Sequence, residues 1–308
     1  MTDKFLVTGA NGCIGAWVIR LLCHEGVEVV AFDLHADEHR HRLVSGGSIP
    51  DVEWSYGDLT VTDDVVRAAE GATHIIHLAA LQIPFCRANP IQGAAVNVTG
   101  TVNVFEAARK HGVTQIAQAS SIAVFGSTAD YAERIIPGDA PRLPTTLYGV
   151  YKVATEDLAK VYWNENRVRS VGLRPHTVFG PGRDQGMTSL PSVGIEKGVK
   201  REEFHIQYGG TLDFQYAPDV AAAFIHAART PTDGAPTHNL AGHSVTVQEF
   251  VDVTRAVTGF DGITCGTDSL PVVEGADASS WYQQADGPTP TPLRDAIEAS
   301  AKIFASAT

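Results

Sequence analysis

Residues 4–15 read KFLVTGANGCIG, and the order of residue types in that stretch decides the fold. Residues 4–8 are mostly apolar and β-branched, the composition of a buried strand. Gly9, Gly12 and Gly15 follow at once, and residues 14–24 then read as a helix. Each glycine has a physical reason: one makes the tight turn, one lets a pyrophosphate approach the backbone, and one lets the helix pack closely on the strand. The helix N-terminus adds free N–H groups and a partial positive charge. Gly9, Asn11, Gly12, Cys13, Ile14 and Gly15 are therefore expected to cradle a dinucleotide. A glycine triplet in a purely structural turn looks similar in isolation, but the strand before it and the helix after it favour a binding site. Cys13, inside the loop, is expected to pack rather than react.

The same rhythm continues outward. Runs at 28–33, 52–56, 74–79, 115–120 and 169–174 read as strands, and 62–70, 94–110 and 155–166 as helices. Such alternation builds an α/β fold, a Rossmann-type doubly wound parallel sheet with helices on both faces. In the helix 94–110, Val98, Val102, Phe105 and Ala108 recur at the spacing of one buried stripe. After Arg174 the pattern loosens, beginning with the turn-rich FGPGRDQG at 179–186. Residues 1–180 are expected to form the dinucleotide-binding domain and 181–308 a smaller C-terminal substrate lobe, some of whose elements return to the main domain. Its helices are expected near 189–197, 218–228, 247–257 and 292–304, the last preceded by the connector DGPTPTP at 286–292.

The 308 residues suffice for one large domain carrying a lobe, with a cleft between them. A composition 44% hydrophobic and 19% charged is that of a globular protein. The net charge of −12 provides no basic surface for nucleic acid or an anionic membrane, so the expected partner is a small molecule. The N-terminal residues lack the pattern of a secretory signal, and no apolar run reaches the roughly 18 residues of a spanning helix. Four scattered cysteines, Cys13, Cys23, Cys86 and Cys265, suit a reducing cytoplasm and supply no metal-ligand spacing, so no metal is expected. His35, His39 and His41 are expected on a solvated face.

Asp33 ends the second expected strand, where a carboxylate accepts hydrogen bonds from the adenosine ribose and repels a 2′-phosphate. No arginine follows immediately, so NAD is expected rather than NADP; the plainer role for Asp33 is a cap or a solvated turn. Asp58, within Gly57-Asp58-Leu59, brings a second carboxylate near the adenine end, or caps the next helix. Further on, SSIAVFG at 120–126 closes the fifth strand and YGVYK at 148–152 opens a helix. Tyr148 and Lys152 are four apart and share a face. A phenol with its ordinary pKa near 10 is a poor base at neutral pH, and a neighbouring ammonium and the nicotinamide ring both favour phenolate. Lys152 is therefore expected to draw Tyr148 downward, while Ser121 holds the substrate oxygen and hydride passes to or from the nicotinamide. A Tyr-x-x-x-Lys pair alone is common on helix surfaces, and Tyr151 is a decoy on another face.

Together these residues resemble the extended short-chain dehydrogenase/reductase family, also called the NAD-dependent epimerase/dehydratase family. The resemblance is carried by TGANGCIG at 8–15, GDL at 57–59, HLAA at 77–80, NVTGTVNVFEAA at 97–108, SSIAVFG, YGVYK and LRPHTVFGPGR at 173–183. It implies that Ser121, Tyr148 and Lys152 are catalytic. It also implies that Leu59, Leu78, Ala79, Ala80, Asn97, Tyr148, Lys152, Pro175 and Val178 contact the cofactor, and that the chain is a homodimer through helix 94–110 and the helix opening near Tyr148. The reaction is left open. Many nucleotide-sugar members of the family place an arginine before the Asp-aromatic pair of the second lobe, to clamp a diphosphate. Here that place is held by Leu212, ahead of Asp213 and Phe214, and leucine offers no cationic donor. Arg294 lies inside the final helix pattern, and the stretches PTTLYGV at 144–150 and SSIAVFG look similar to short-chain-type L-threonine dehydrogenases.

The expected function is hydride transfer between NAD and a hydroxyl-bearing carbon of a sugar, sugar acid or similar small alcohol. Candidate substrate contacts are Gln82, Phe85, Arg87, Ser121, His176, Thr177 and Arg183. Of these, Arg183 suits a carboxylate or phosphate, or an interlobe salt bridge, and His176 shapes the pocket without titrating. Asp219 is expected to cap a helix. A nucleotide-sugar epimerase or dehydratase with tightly held NAD is the alternative, and a non-catalytic NAD sensor a third reading.

Overall fold

A computed structural model describes residues 3–307. Strand β1 (Lys4–Thr8) turns through the glycines into α1 (Cys13–His24) and on to β2 (Glu28–Asp33). There follow α2 (His39–Val44), β3 (Glu53–Tyr56), α3 (Thr62–Ala68), β4 (His74–His77) and the short helices α4 (Ile83–Ala88) and α5 (Pro90–Ala94). A π-helical turn, Ala95–Thr99, leads into α6 (Gly100–His111), then β5 (Gln115–Ala119), β6 (Ile135–Ile136), α7 (Leu147–Asn166) and β7 (Ser170–Arg174). The second half supplies β8 (Thr177–Phe179), α8 (Leu190–Lys200), β9 (Phe204–Ile206), β10 (Thr211–Tyr216), α9 (Ala217–Arg229) and β11 (Thr237–Asn239). It closes with β12 (His243–Thr246), α10 (Val247–Thr258), β13 (Ile263–Cys265), β14 (Gly275–Ala276), α11 (Ser279–Ala285) and α12 (Leu293–Ser306).

Seven strands form one parallel sheet in the order β11-β7-β5-β4-β1-β2-β3. Parallel neighbours cannot be joined by a tight turn, so each crossover carries a helix onto a face and both faces are buried. On one face Trp17, Val18, Ile19 and Leu22 of α1 meet Val220, Ala221 and Phe224 of α9. On the other, Val65, Val104, Phe105, Ala108 and Ala159 bring α3, α6 and α7 together. The strand order reverses between β1 and β4, which opens a crevice beyond the C-terminal ends of the strands.

A second, three-stranded sheet, β12-β10-β8, anchors the smaller lobe. Its core stacks Phe214 on Phe250 at 4.5 Å and sets Phe179 edge-on to Phe250 at 5.1 Å. The chain beyond Gly180 does not all stay in this lobe. Helix α9 lies against α1, and β11 extends the main sheet beside β7. Asp219 in the first turn of α9 accepts bonds from the Thr291 amide and hydroxyl, at 2.7 and 2.8 Å, so it ties down the DGPTPTP connector. Among the described residues, no helix is long and apolar enough to cross a membrane.

Two expectations fail locally. The stripe through Val98 and Val102 is displaced by one residue: Asn97 and Thr101 are buried, at 2 and 3% exposure, whereas both valines are only half-buried. The polar pair takes the inner face because each is satisfied there, Asn97 by the Leu81 backbone and Thr101 by His77 Nε2 at 3.0 Å. His41 is fully buried rather than solvated, edge-on to Trp54 at 5.0 Å and 3.3 Å from Asn11 Oδ1.

Beneath α7 lies a buried ion cluster. Arg174 of β7 grips Glu156 of α7 through Nε and Nη2, both at 2.7 Å. Ser120 donates to the same carboxylate at 2.5 Å and Arg142 at 3.2 Å. Glu156 is 1% exposed, so removing it strands Arg174 without its counter-ion. Glu156→Ala is expected to cost about 3–5 kcal/mol in urea denaturation, and a loss under about 1 kcal/mol, the scale of a surface pair, means that this cluster does not hold α7 to the sheet.

Candidate active site

The dinucleotide crevice is made by close backbone contact. Gly9 has φ +71°, and a β-carbon there would stand 2.6 Å from the Ala79 amide nitrogen. One on Gly15 would stand 2.2 Å from the Gly9 carbonyl oxygen, and one on Gly12 would stand 3.1 Å from it. Side chains at these positions would fill the cradle, and the first amides of α1 have no side-chain cap. Those amides are free for phosphate oxygens. Asp33 is fixed at the rim by the amides of Asn11 and Leu34, each 2.8 Å from its carboxylate, and Asn11 Nδ2 donates to the His35 carbonyl at 2.7 Å. An acceptor-only carboxylate is what ribose hydroxyls require. Phosphate donors at one end and this acceptor at the other fit NAD.

The remaining expected cofactor residues form walls. Cys13 faces the Pro181 carbonyl, and burial pushes its thiol up to about 12, so it packs. Ile14 and Leu78 join the core under the sheet. Asp58 accepts from the Thr60 amide and hydroxyl, both at 2.8 Å, in a turn ahead of α3, and Leu59 packs below it at 6% exposure. Ala79 and Ala80 border the crevice half-buried. The Asn97 amide spans the Leu81 N–H and carbonyl at 2.7 and 2.9 Å, so it braces the chain after β4. Pro175 accepts from the Ile122 amide at 3.0 Å, and Val178 is buried in β8. Arg40 was not anticipated: it donates to the Asn11 and Gly182 carbonyls and pairs with Asp184 at 2.6 Å. It joins the glycine loop to the interlobe loop, a contact across 142 residues of sequence that the HRHR run at 39–42 does not announce.

Proton chemistry is set by two elements pressed together. A β-carbon on Gly149 would stand 2.1 Å from the Ala123 carbonyl oxygen, so the first turn of α7 sits directly on the turn that carries Ser121. Thr146 caps α7 by accepting from the Gly149 amide at 3.0 Å. Ser121 accepts from the Ala123 amide at 3.1 Å and stands close enough to the Tyr148 phenol to favour its ionised form. Lys152 donates to the Ala119 carbonyl at 2.5 Å and lies 5.6 Å from the centre of the Tyr148 ring. Its burial draws the ammonium down to about 8. The expectation that Lys152 lowers Tyr148 is overturned. Burial raises the phenol above its ordinary 10, against smaller opposing effects from Ser121 and Arg183. The decoy is committed elsewhere: Tyr151 donates to the Pro90 carbonyl at 3.0 Å, and the neighbouring Ser120 is likewise spent on Glu156.

On the substrate side, Gln82 and Arg183 converge on Gly186, whereas Phe85 is 41% exposed and Arg87 lies exposed on α4. His176 and Thr177 do not fit the role of polar contacts. Thr177 is 1% exposed and its hydroxyl meets His176 Nδ1 at 3.0 Å, while His176 Nε2 meets the Val273 carbonyl at 2.7 Å. Both side chains knit the seam of the lobes, and burial lowers the His176 imidazole. Leu212 is 1% exposed in the core of the smaller lobe.

A glycine-lined nucleotide crevice beside a Ser-Tyr-Lys cluster defines an NAD-dependent enzyme of the extended short-chain dehydrogenase/reductase class. The chain belongs to the NAD dependent epimerase/dehydratase family, whose model matches residues 5–241. It is similar to UDP-glucose 4-epimerase of Mycolicibacterium smegmatis, 30% identical over 244 residues that cover 77% of this chain and 76% of that one. GDP-mannose 3,5-epimerase of Arabidopsis thaliana is 28% identical, over 89% of this chain and 65% of its own. Among solved structures, MoeE5 in complex with UDP-glucuronic acid and NAD has a TM-score of 0.82 at 27% identity, covering 99% of this chain and 100% of that one. L-threonine dehydrogenase from Clostridium difficile shares the fold, with a TM-score of 0.86 at 22% identity over 99% and 98%.

Two measurements test the site. Asp33→Asn is expected to weaken NAD about tenfold or more, the worth of a hydrogen bond to a charged acceptor. An unchanged affinity in a fluorescence titration removes Asp33 from the nucleotide contacts. For Lys152, the folded ammonium loses its proton near pH 8 and the unfolded one near 10.5, so between these values the unfolded chain holds more protons and rising pH favours folding. The stability of the protein relative to Lys152→Met should therefore climb from about pH 7.5 to about pH 10. A flat difference between their urea midpoints means that Lys152 titrates normally.

Proposed function

We propose that this enzyme transfers hydride between NAD and a hydroxyl-bearing carbon of a small sugar, sugar acid or related alcohol, with Ser121, Tyr148 and Lys152 as its catalytic residues. The observation that carries this reading is the convergence of Ser121, Tyr148 and Lys152 beside a crevice suited to the dinucleotide. Bound NAD supplies the hydride acceptor or donor. Ser121 donates to the substrate oxygen and holds it against the phenol. Tyr148 carries the proton, taking it from the hydroxyl in oxidation and returning it to the carbonyl in reduction. Lys152 holds the Ala119 carbonyl beside the ring, while Ser121 and the charge of Arg183 oppose the effect of burial when phenolate forms. Arg40, Asn97 and Glu156 act through other groups, by holding the walls and the catalytic helix.

A small substrate is favoured over a nucleotide sugar because leucine, not arginine, stands ahead of Asp213 and Phe214, and the Leu212 side chain is packed in the core of the smaller lobe and offers no cation to a diphosphate. The enzyme acts as a homodimer in the cytoplasm. Support for the dimer comes from Ile91, 88% exposed on α5, and from Leu147, Val150 and Val161, each over 40% exposed along α7. All four cysteines are unpaired, in keeping with a reducing compartment.

Net NADH production from a panel of free sugars, sugar acids and amino alcohols tests the reaction. Tyr148→Phe should lower kcat by roughly 10²–10⁴-fold with little change in NAD affinity. Interconversion of UDP-sugars with retained NAD and no net NADH overturns this reading in favour of epimerisation, and NAD binding without any turnover favours a sensor.

A further inference from the structure

Arg183 enters the cleft from the turn-rich loop between β8 and α8, and its guanidinium is only partly satisfied. Nη2 donates to the Thr188 hydroxyl at 3.0 Å, whereas Nε is buried and has no hydrogen-bond partner among the described residues. A buried N–H left unpaired is costly, and few folded proteins keep one that nothing completes. Tyr208, between β9 and β10, presents a second such group: the residue is 3% exposed and its hydroxyl is also without a partner. The charge of Arg183 bears on the phenols of both Tyr208 and Tyr148.

The lack of a side chain at Gly186 lets Gln82 Oε1 come up beside Arg183. A β-carbon on Gly186 would come 2.7 Å from Gln82 Oε1 and 3.6 Å from Arg183 Nη2, and Gly186 has φ +87°, so a side chain is disfavoured there on two counts. The Nε–H and the second hydrogen of Nη2 form one edge of the guanidinium, a fork that matches the two oxygens of a carboxylate. The phenolic hydroxyl of Tyr208 adds a neutral donor.

We propose that Arg183 and Tyr208 form an oxyanion subsite that holds the carboxylate of an acidic hydroxy substrate, with its hydroxyl-bearing carbon directed to Ser121 and Tyr148. This assignment rests on the hydride-transfer reading of the same site and narrows its substrate to compounds bearing an acid group. A phosphate monoester offers similar oxygens, and the probes must separate the two.

The NAD-loaded protein is titrated calorimetrically with matched pairs, D-galacturonate against D-galactose and L-threonine against L-threoninol, and with glucose 6-phosphate and UDP-glucose. NADH formation is followed for each. At least one acid should bind about 30-fold or more tightly than its neutral partner, the worth of a charge-assisted fork. Arg183→Gln should erase that preference, Arg183→Lys should restore part of it, and Tyr208→Phe, which keeps the ring in the lobe core, should reduce it. Equal affinity within every pair, including no detectable binding of any acid, overturns the subsite. So does a loss on Arg183→Gln confined to the phosphate compounds. A carboxylate preference that disappears in Arg183→Gln, with no NADH from any probe, supports the subsite and counts against the hydride-transfer reading. Equal NADH formation from acid and neutral partner, unchanged by Arg183→Gln, does the reverse.

Discussion

The carbonyl oxygen of Gly9 stands 2.2 Å from where a β-carbon on Gly15 would be, and the Ala79 amide is nearly as close to one on Gly9. Three backbone segments therefore meet without side chains at the point where the sheet reverses its strand order. That contact seats α1 on β1, and α1 in turn packs Trp17, Val18 and Leu22 against α9. It also keeps the first amides of α1 facing an open crevice. A methyl group at either position would push the helix away, and both the cradle and the packing beneath it would shift.

Distant parts of the chain are fastened to this point by polar contacts of long sequence separation. Arg40 links the glycine loop to Gly182 and Asp184, and so to the loop that carries Arg183. His176 links the main sheet to Val273, and Glu156 pins the catalytic helix to β7. Each is buried or partly buried, where a lost partner cannot be replaced by water. The crevice, the Ser121-Tyr148-Lys152 cluster and the second lobe are therefore one connected framework.

Burial tunes the chemistry of that framework. It raises the Tyr148 phenol and lowers the Lys152 ammonium, and both shifts have one cause, the loss of water around a charge. The same dryness strengthens any charge brought close, so Arg183 and Lys152 count for more here than on the surface.

Much of this was legible in the residues themselves. The parallel αβ order follows from local periodicity and from the glycine turn, because a strand, a tight turn and a helix each leave a mark within a few neighbouring positions. The spacing of Tyr148 and Lys152, and the carboxylate of Asp33 at a strand end, are local in the same sense. The buried face of helix 94–110 was not legible, because the polar Asn97 and Thr101 occupy it through partners from remote segments, the Leu81 backbone and His77. Nor were the burial of His41, the engagement of His176 and Thr177, the role of Arg40 or the orphaned groups of Arg183 and Tyr208. Each depends on which atoms from remote segments arrive beside the side chain, and on how much water they displace. Residue order dictated the frame and the type of chemistry, while three-dimensional packing decided which polar groups are consumed by the fold and which remain for a ligand.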